Sequence, residues 1–218
     1  EYFILDNTDQ VLMISPPFAE KPEVKARGKS MIVEFDDEEE LIPMRTYSFN
    51  FYNSIKDLNE NNPLPNYRYV FSTGNIIDSL SVTGHIYDSY TLEAGEDIFV
   101  VMYTEKTDTL PLTTLPDYIT RAAENGRFRI DNIASGQYYL YGLKDENNNK
   151  IFDMPAESFA FLDSAINVNP SNNFIPARPD SLLIDSLMTD SLRADTTIME
   201  GDTIIIYPEV DSLNIPEE

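Results

Sequence analysis

Apolar and polar residues alternate along several short segments of the chain. The alternation is clearest at residues 127–130, Arg-Phe-Arg-Ile, and at residues 138–141, Tyr-Tyr-Leu-Tyr. Period two is the spacing of a β-strand that buries one face, whereas a helix buries residues at a spacing of 3.6. Residues 47–52, 67–71 and 80–88 follow the same pattern, and no segment shows convincing helical spacing. We therefore predict an all-β protein built as tandem β-sandwiches.

The segments between residues 77 and 168 give more detailed expectations. Residues 98–103 are all apolar, as expected of a central strand that is covered on both faces. The alternating segments at 127–130 and 138–141 are joined by a Gly-bearing turn, and we expect them to pair with each other. Gly84 lies inside an alternating run and predicts a β-bulge or a close backbone approach.

Composition divides the chain into three regions, at residues 1–76, 77–168 and 169–218. In the third region Asp-Ser-Leu recurs every five residues, a period that gives neither a helix nor a strand an apolar face. This region carries ten acidic residues and two arginines, which indicates an extended, acidic, low-complexity linker. Residues 203–207, Thr-Ile-Ile-Ile-Tyr, are the exception. They predict one strand that either adds to another sheet or begins a further domain.

Two parts of the sequence resemble known bacterial domains. Residues 82–88, 126–133 and 136–140 resemble the transthyretin-like, carboxypeptidase-regulatory-type β-sandwich of exported bacterial proteins. Residues 46–49, 57–62 and 69–74 resemble the C-terminal part of a bacterial Ig-like domain of the S-layer type. Together the two regions resemble the Ig-like lipoproteins of the Bacteroidetes.

The resemblance implies an exported protein of the periplasm or the outer-membrane surface, with a lipid anchor upstream of this chain. It also implies a tight, Gly-dependent turn between the paired strands of the second sandwich. An Ig-like sandwich needs about seven strands, and the patterns in residues 1–76 indicate only four or five. We therefore expect the first sandwich to lack its opening strands. The start at Glu1, without an initiator Met, fits a processed or excised product.

Charge and composition exclude several functions. The formal net charge is −23, with only 15 Lys and Arg residues, which disfavours nucleic acid as a partner. No segment approaches the roughly 20 consecutive apolar residues of a membrane-spanning helix. The chain has no Cys and only one His, His85, which excludes disulfides, thiolate sites and multi-His zinc sites.

The best candidate site is a loop rich in Asp and Asn. Its oxygen ligands occupy positions one, three, five, seven and nine of a calcium-type loop: Asp145, Asn147, Asn149, the carbonyl of Ile151, and Asp153. Lys150 stands where such loops favour Gly, and Glu157 comes one residue later than the usual bidentate acid. The loop therefore predicts a Ca²⁺ site, with an Asx-rich turn bonded to its own backbone as the alternative. No other cofactor is indicated.

These features favour a non-catalytic structural or presentation module of a bacterial surface or periplasmic protein. The alternative is a module that binds a carbohydrate or a protein through exposed aromatic residues or a free strand edge. The sequence does not identify the protein or glycan partner. It assigns no catalytic residues, because nothing in it selects a pair of carboxylates or an activated nucleophile.

Overall fold

The computed structural model describes residues 3–6, 8, 12–89, 91–95, 97–107, 109–170 and 204–211 of the chain. These residues form fifteen β-strands in several sheets and very little helix. The prediction of tandem all-β sandwiches is confirmed. Most of the expected acidic linker at 169–218 lies outside the described residues.

The first unit contains seven strands. They are β1 (Phe3–Leu5), β2 (Met13–Ser15), β3 (Glu23–Arg27), β4 (Ser30–Glu34), β5 (Thr46–Tyr52), β6 (Ile55–Asp57) and β7 (Tyr67–Ser72). Strands β2, β5 and β7 form one antiparallel sheet with β5 in the centre, while β1 pairs with β6 and β3 pairs with β4. Tyr47, Phe49 and Phe51 alternate along β5 and bury their rings in the core.

The expected count of four or five strands in this region is wrong. Strand β3, Glu-Val-Lys-Ala-Arg, was missed because Val24 is its one large apolar residue and most of the strand is exposed. Strand β6 was missed because it occupies the start of a segment whose Asp, Asn and Pro residues indicate a loop. A hydrophobic pattern detects strands that bury several alternating residues, and each of these two strands sends only one apolar side chain, Val24 or Ile55, to the core.

The second unit contains eight strands in two sheets. They are β8 (Leu80–Asp88), β9 (Phe99–Tyr103), β10 (Tyr118–Arg121), β11 (Arg127–Ile133), β12 (Gly136–Lys144), β13 (Ser158–Phe161), β14 (Ile166–Val168) and β15 (Ile204–Asp211), with one helical turn, α1 (Leu110–Thr113), before β10. One sheet has the order β10-β9-β12-β13, with β14 also paired to β12. The other has the order β11-β8-β15.

Strand β9 is covered on both faces, as its apolar sequence predicts. Val100 and Met102 point into the core between the two sheets. Phe99, Val101 and Tyr103 belong to a second apolar cluster on the opposite face, where Met13 of the first unit also packs. The sheet therefore has one face inside its own sandwich and one face turned partly to the neighbouring unit.

The expected pairing of residues 127–130 with 138–141 is wrong. Strand β11 pairs with β8, and β12 pairs with β9, β13 and β14, so the two strands lie in opposite sheets. Both alternations are real, because Phe128, Ile130, Tyr138 and Leu140 all enter the same core. The apolar faces meet across the sandwich instead of lying side by side in one sheet.

An irregular stretch of backbone precedes the crossing of the chain from one sheet to the other. The register of β11 shifts between Ile130 and Ile133, and Asn132 between them has a φ of +60°. Asn tolerates this left-handed conformation better than most residues. Ile133 still pairs with Leu80, and the chain crosses to the other sheet over Ala134 and Ser135, before β12 begins. The expected bulge at Gly84 is wrong, since β8 pairs through that position without a shift. Gly136 does not have a positive φ, so the crossing does not depend on a left-handed glycine.

Strand β15 adds to the outer edge of β8. Its backbone pairs antiparallel along the whole of that strand, from Ile204 opposite Asp88 to Asp211 opposite Ser81. Addition to another sheet is one of the two alternatives that the sequence left open for residues 203–207. Pro208 lies within the strand, and its lack of an N–H suits the edge position that β15 occupies.

The core position of Phe128 can be tested by truncation. We expect Phe128→Ala to lower the free energy of unfolding by about 3–5 kcal/mol, because its buried ring fills space between the two sheets. Phe161→Ala is the control, since this ring is 61% exposed and its loss should cost within about 0.5 kcal/mol. Urea denaturation measures both values. Equal losses would contradict the placement of β11.

Candidate functional site

The Asp/Asn loop connects β12 to β13 and is folded by its own side chains. The carboxylate of Asp145, directly after β12, accepts hydrogen bonds from the backbone N–H groups of Asn148 and Lys150, both at 2.6 Å. The side-chain oxygens of Asn147 and Asn149 accept the N–H groups two residues ahead, at 3.0 and 2.8 Å. These are Asx turns, in which short polar side chains replace backbone pairing.

Asp153 is the point where the loop converges. Its two carboxylate oxygens accept hydrogen bonds from the side-chain amides of Asn147, at 3.0 Å, and Asn149, at 2.9 Å. The structure thus joins three of the five predicted ligand residues directly, whereas Asp145 bonds the backbone of Asn148 and Lys150. For Ile151 it records the N–H bond to Asn149 but no bond of the carbonyl that would bind the ion.

The two amides now occupy the position that a cation would need beside Asp153. A cation bound there would require the oxygen atoms of Asn147 and Asn149 to turn toward Asp153, so that oxygen rather than N–H faces the ion. Among the described residues, no group of three or more His, Cys, Asp or Glu side chains could hold a metal ion. A Ca²⁺ site would need amide and carbonyl oxygens in addition to the carboxylates, and the site stays a prediction.

Lys150 adopts the backbone conformation that calcium loops give to Gly. Its φ is +66°, and Asn148 has a φ of +61°. A non-Gly residue such as Lys is uncommon in this region. Its side chain lines a small cavity with residues of the first unit, Pro17 and Lys21 among them. Burial lowers the pKa of Lys150, against the attraction of Asp145 and Glu20.

Glu157 holds the loop closed from the other side. Its buried carboxylate accepts hydrogen bonds from the backbone N–H groups of Asp153 at 3.0 Å, Met154 at 3.1 Å and Glu146 at 3.4 Å. In the sequence, Glu157 comes one residue later than the bidentate acid of a calcium loop. Its observed contacts give it another task, which is to tie the start of the loop to its end.

The second structural centre is the junction between the two units, which sequence reasoning missed. Arg45, just before β5, donates hydrogen bonds to the hydroxyl of Tyr118 and to a carboxylate oxygen of Asp117, both at 3.0 Å. Its guanidinium also lies 5.2 Å from the centre of the Tyr118 ring. Burial opposes the charge of Arg45, but Tyr118 and Asp117 outweigh it and raise its pKa. No local sequence signal links residues more than 70 positions apart.

Further contacts fix the same junction. The N–H of Ile119 donates to the hydroxyl of Ser15 at 3.1 Å, and the buried side chain of Met13 packs beside Ile119. Arg68 of β7 forms an ion pair with Asp131 of β11. These contacts come from four strands, two in each unit, so they constrain rotation as well as separation.

Tyr52 supplies a strained element of this junction. It ends β5 next to a register shift and has a φ of +47°, which is rare for an aromatic residue. Its side chain packs against the apolar cluster of the second unit that includes Ile119, and burial raises its pKa. Such strain persists only where surrounding contacts enforce it, and here the contact to the other unit does so.

Comparison with known proteins identifies the first unit. Residues 4–73 match a family model described as a bacterial Ig-like domain. No curated protein and no solved structure matches the chain. The first sandwich is therefore an Ig-like domain. Within the described residues, no helix has the length and apolar character needed to cross a membrane.

Calcium binding is tested by melting the protein with calcium or with a chelator. A ligand that binds only the folded state raises the melting temperature, and a concentration 100 times the Kd is worth about 2.7 kcal/mol. We expect calcium to stabilise the native chain, and Asp153→Asn to abolish the effect. Asp163→Asn, at an exposed position outside the loop, should retain it. A melting temperature that chelator does not change contradicts the site.

The role of Glu157 gives a second prediction that needs no metal. Glu157→Gln replaces one acceptor oxygen by an N–H₂ group that faces backbone donors, so unfolding should become easier by about 1–3 kcal/mol. Glu146→Gln makes the same change at an exposed side chain of the loop and should have little effect. Calorimetry in chelator measures both. If the two variants melt alike, Glu157 does not close the loop.

Proposed function

We propose that this chain is a non-catalytic structural module that spaces and presents other parts of an exported bacterial surface or periplasmic protein. The Ig-like match over residues 4–73 supports a structural module of a bacterial surface protein. The observation that carries the finer proposal is the junction, in which side chains of both units meet in directional contacts. Two sandwiches held this way form a stiff spacer.

The junction has the properties that a spacer needs. Its contacts combine two ion pairs, hydrogen bonds and buried apolar packing, which fix the angle between the units better than apolar contact alone. Arg45 is central because one planar guanidinium binds two different groups of the second unit. Asp117 is itself held by the N–H and hydroxyl of Thr104, at 2.8 and 2.9 Å, so the acceptor is fixed in advance.

The second sandwich and the location are also part of the proposal. Two facing sheets around one core, with Phe128 and Leu140 inside, support the resemblance to the transthyretin-like domain. The resemblance to Bacteroidetes lipoproteins suggests a lipid anchor upstream and a place at the outer membrane or in the periplasm. A bound Ca²⁺ at the Asp/Asn loop would stiffen the second unit further.

Arg45 provides the test of a stiff spacer. In the native protein, ¹⁵N relaxation should give one common tumbling time for both units. Arg45→Ala removes a hydrogen-bonded cation from a half-buried position, so we expect a loss of about 1.5–3 kcal/mol in stability. The tumbling times of the two units should then differ.

Arg27→Ala is the matched control, because Arg27 lies on an exposed strand away from the junction. It should leave both stability and tumbling unchanged. Independent tumbling of the units in the native protein would contradict the proposal at once. Common tumbling that survives Arg45→Ala would show that Arg45 is not the residue that sets the angle.

A further inference from the structure

A polar cleft of about 760 Å³ lies where the two units meet. Its walls come from β5 and β7 of the first unit and from β10 and β11 of the second. Small-molecule sites usually have volumes of about 300–1,000 Å³. Because most of the lining residues lie on paired strands of two docked sandwiches, the cleft is held in shape by the same contacts that fix the junction.

The charge of this cleft is opposite to that of the chain. The protein has 38 acidic and 15 basic residues, yet the cleft is lined by two arginines, Arg68 and Arg129, and one acid, Asp131. Asp131 lies between them. It pairs with Arg68 and accepts a hydrogen bond from the Nε of Arg129 at 2.8 Å. One positive charge is left over, so the cleft favours an anion.

The two guanidinium groups have donors to spare. Each arginine carries five N–H donors in a planar fork, and only one atom of each makes its bond to Asp131. Their side chains are 35% and 38% exposed, so the remaining donors can be reached from solvent. A planar fork of this kind matches a carboxylate, which can accept two parallel hydrogen bonds.

The other lining groups suit a hydroxylated ring. Tyr67 borders the cleft, with its ring packed against Phe51 of the first unit at 5.9 Å between ring centroids. The side-chain amide of Asn50 also lines the cleft and makes no hydrogen bond within the part of the chain that the structure describes. Its oxygen and N–H₂ group can therefore exchange hydrogen bonds with sugar hydroxyls.

We propose that this cleft binds an acidic sugar, a uronate unit whose carboxylate meets Arg129 and Arg68 while its hydroxyls meet Asn50. In the native protein Asp131 competes with the ligand for both arginines. The site requires both units, so only the docked arrangement can form it.

The probe is free D-galacturonate, titrated into ¹⁵N-labelled protein up to about 20 mM. We expect saturable shifts of the amide signals of Asn50, Arg68 and Arg129. D-galactose, which lacks the carboxylate, and acetate, which lacks the ring, should each bind at least about tenfold more weakly. No saturable shift with galacturonate would overturn the proposal. A response to galactose or to acetate that equals the response to galacturonate would also do so.

Three variants connect the binding to the named groups. Arg129→Gln should weaken galacturonate binding by about tenfold or more, while Arg127→Gln is the matched control, because this exposed residue lies on the same strand but does not line the cleft. Asp131→Asn should tighten binding several-fold, because it removes the competing carboxylate. Equal affinities in the two arginine variants, or an affinity that does not rise in Asp131→Asn, would contradict recognition by the arginine pair.

Discussion

The contact of Arg45 with Tyr118 connects the two units and also organises the second one. The hydroxyl of Tyr118 accepts hydrogen bonds from Arg45 and from the N–H of Ala134, and its ring packs edge-on against Tyr138. Tyr138 in turn donates to the carbonyl of Ala134 at 2.8 Å. Ala134 lies where the chain crosses from one sheet to the other, so one chain of hydrogen bonds runs from the first unit to this crossing. Burial is the main reason that the pKa of Tyr138 is raised, which keeps its proton available to donate.

The sequence could predict which residues are buried, but it could not predict which strands are neighbours. Phe128 and Ile130 enter the core as their alternation requires, and so do Tyr138 and Leu140. Alternation records the buried face of one strand and carries no information about the strand beside it. When only alternation is considered, two alternating segments joined by a short turn resemble a hairpin, even where the chain crosses between sheets. The crossing at Ala134 and Ser135, and the left-handed backbone of Asn132 just before it, are evident only in the structure.

At the candidate sites too, the sequence could predict local contacts but not contacts between distant residues. The side chains of the Asp/Asn loop act on neighbours within a few residues, so their spacing in the sequence was enough to predict an Asx-rich turn as one of two alternatives. The cleft and the junction depend on pairs such as Arg68 with Asp131, which are 63 residues apart. Pairs of this kind leave no pattern in a single sequence, because Arg and Asp on strands usually face solvent without a partner. Folding alone brings them together.

Some of the residues that join the two units also line the proposed ligand cleft. An ion pair between Arg68 and Asp131 stabilises the junction only modestly, since both groups remain partly exposed to water. The junction has other contacts, at Arg45, Ser15 and Tyr52, that do not involve this pair and keep the units docked without it. Arg68 can therefore exchange Asp131 for a carboxylate from outside while the angle between the units is retained. A surface module built in this way could hold its partners apart and recognise an acidic glycan with the same interface.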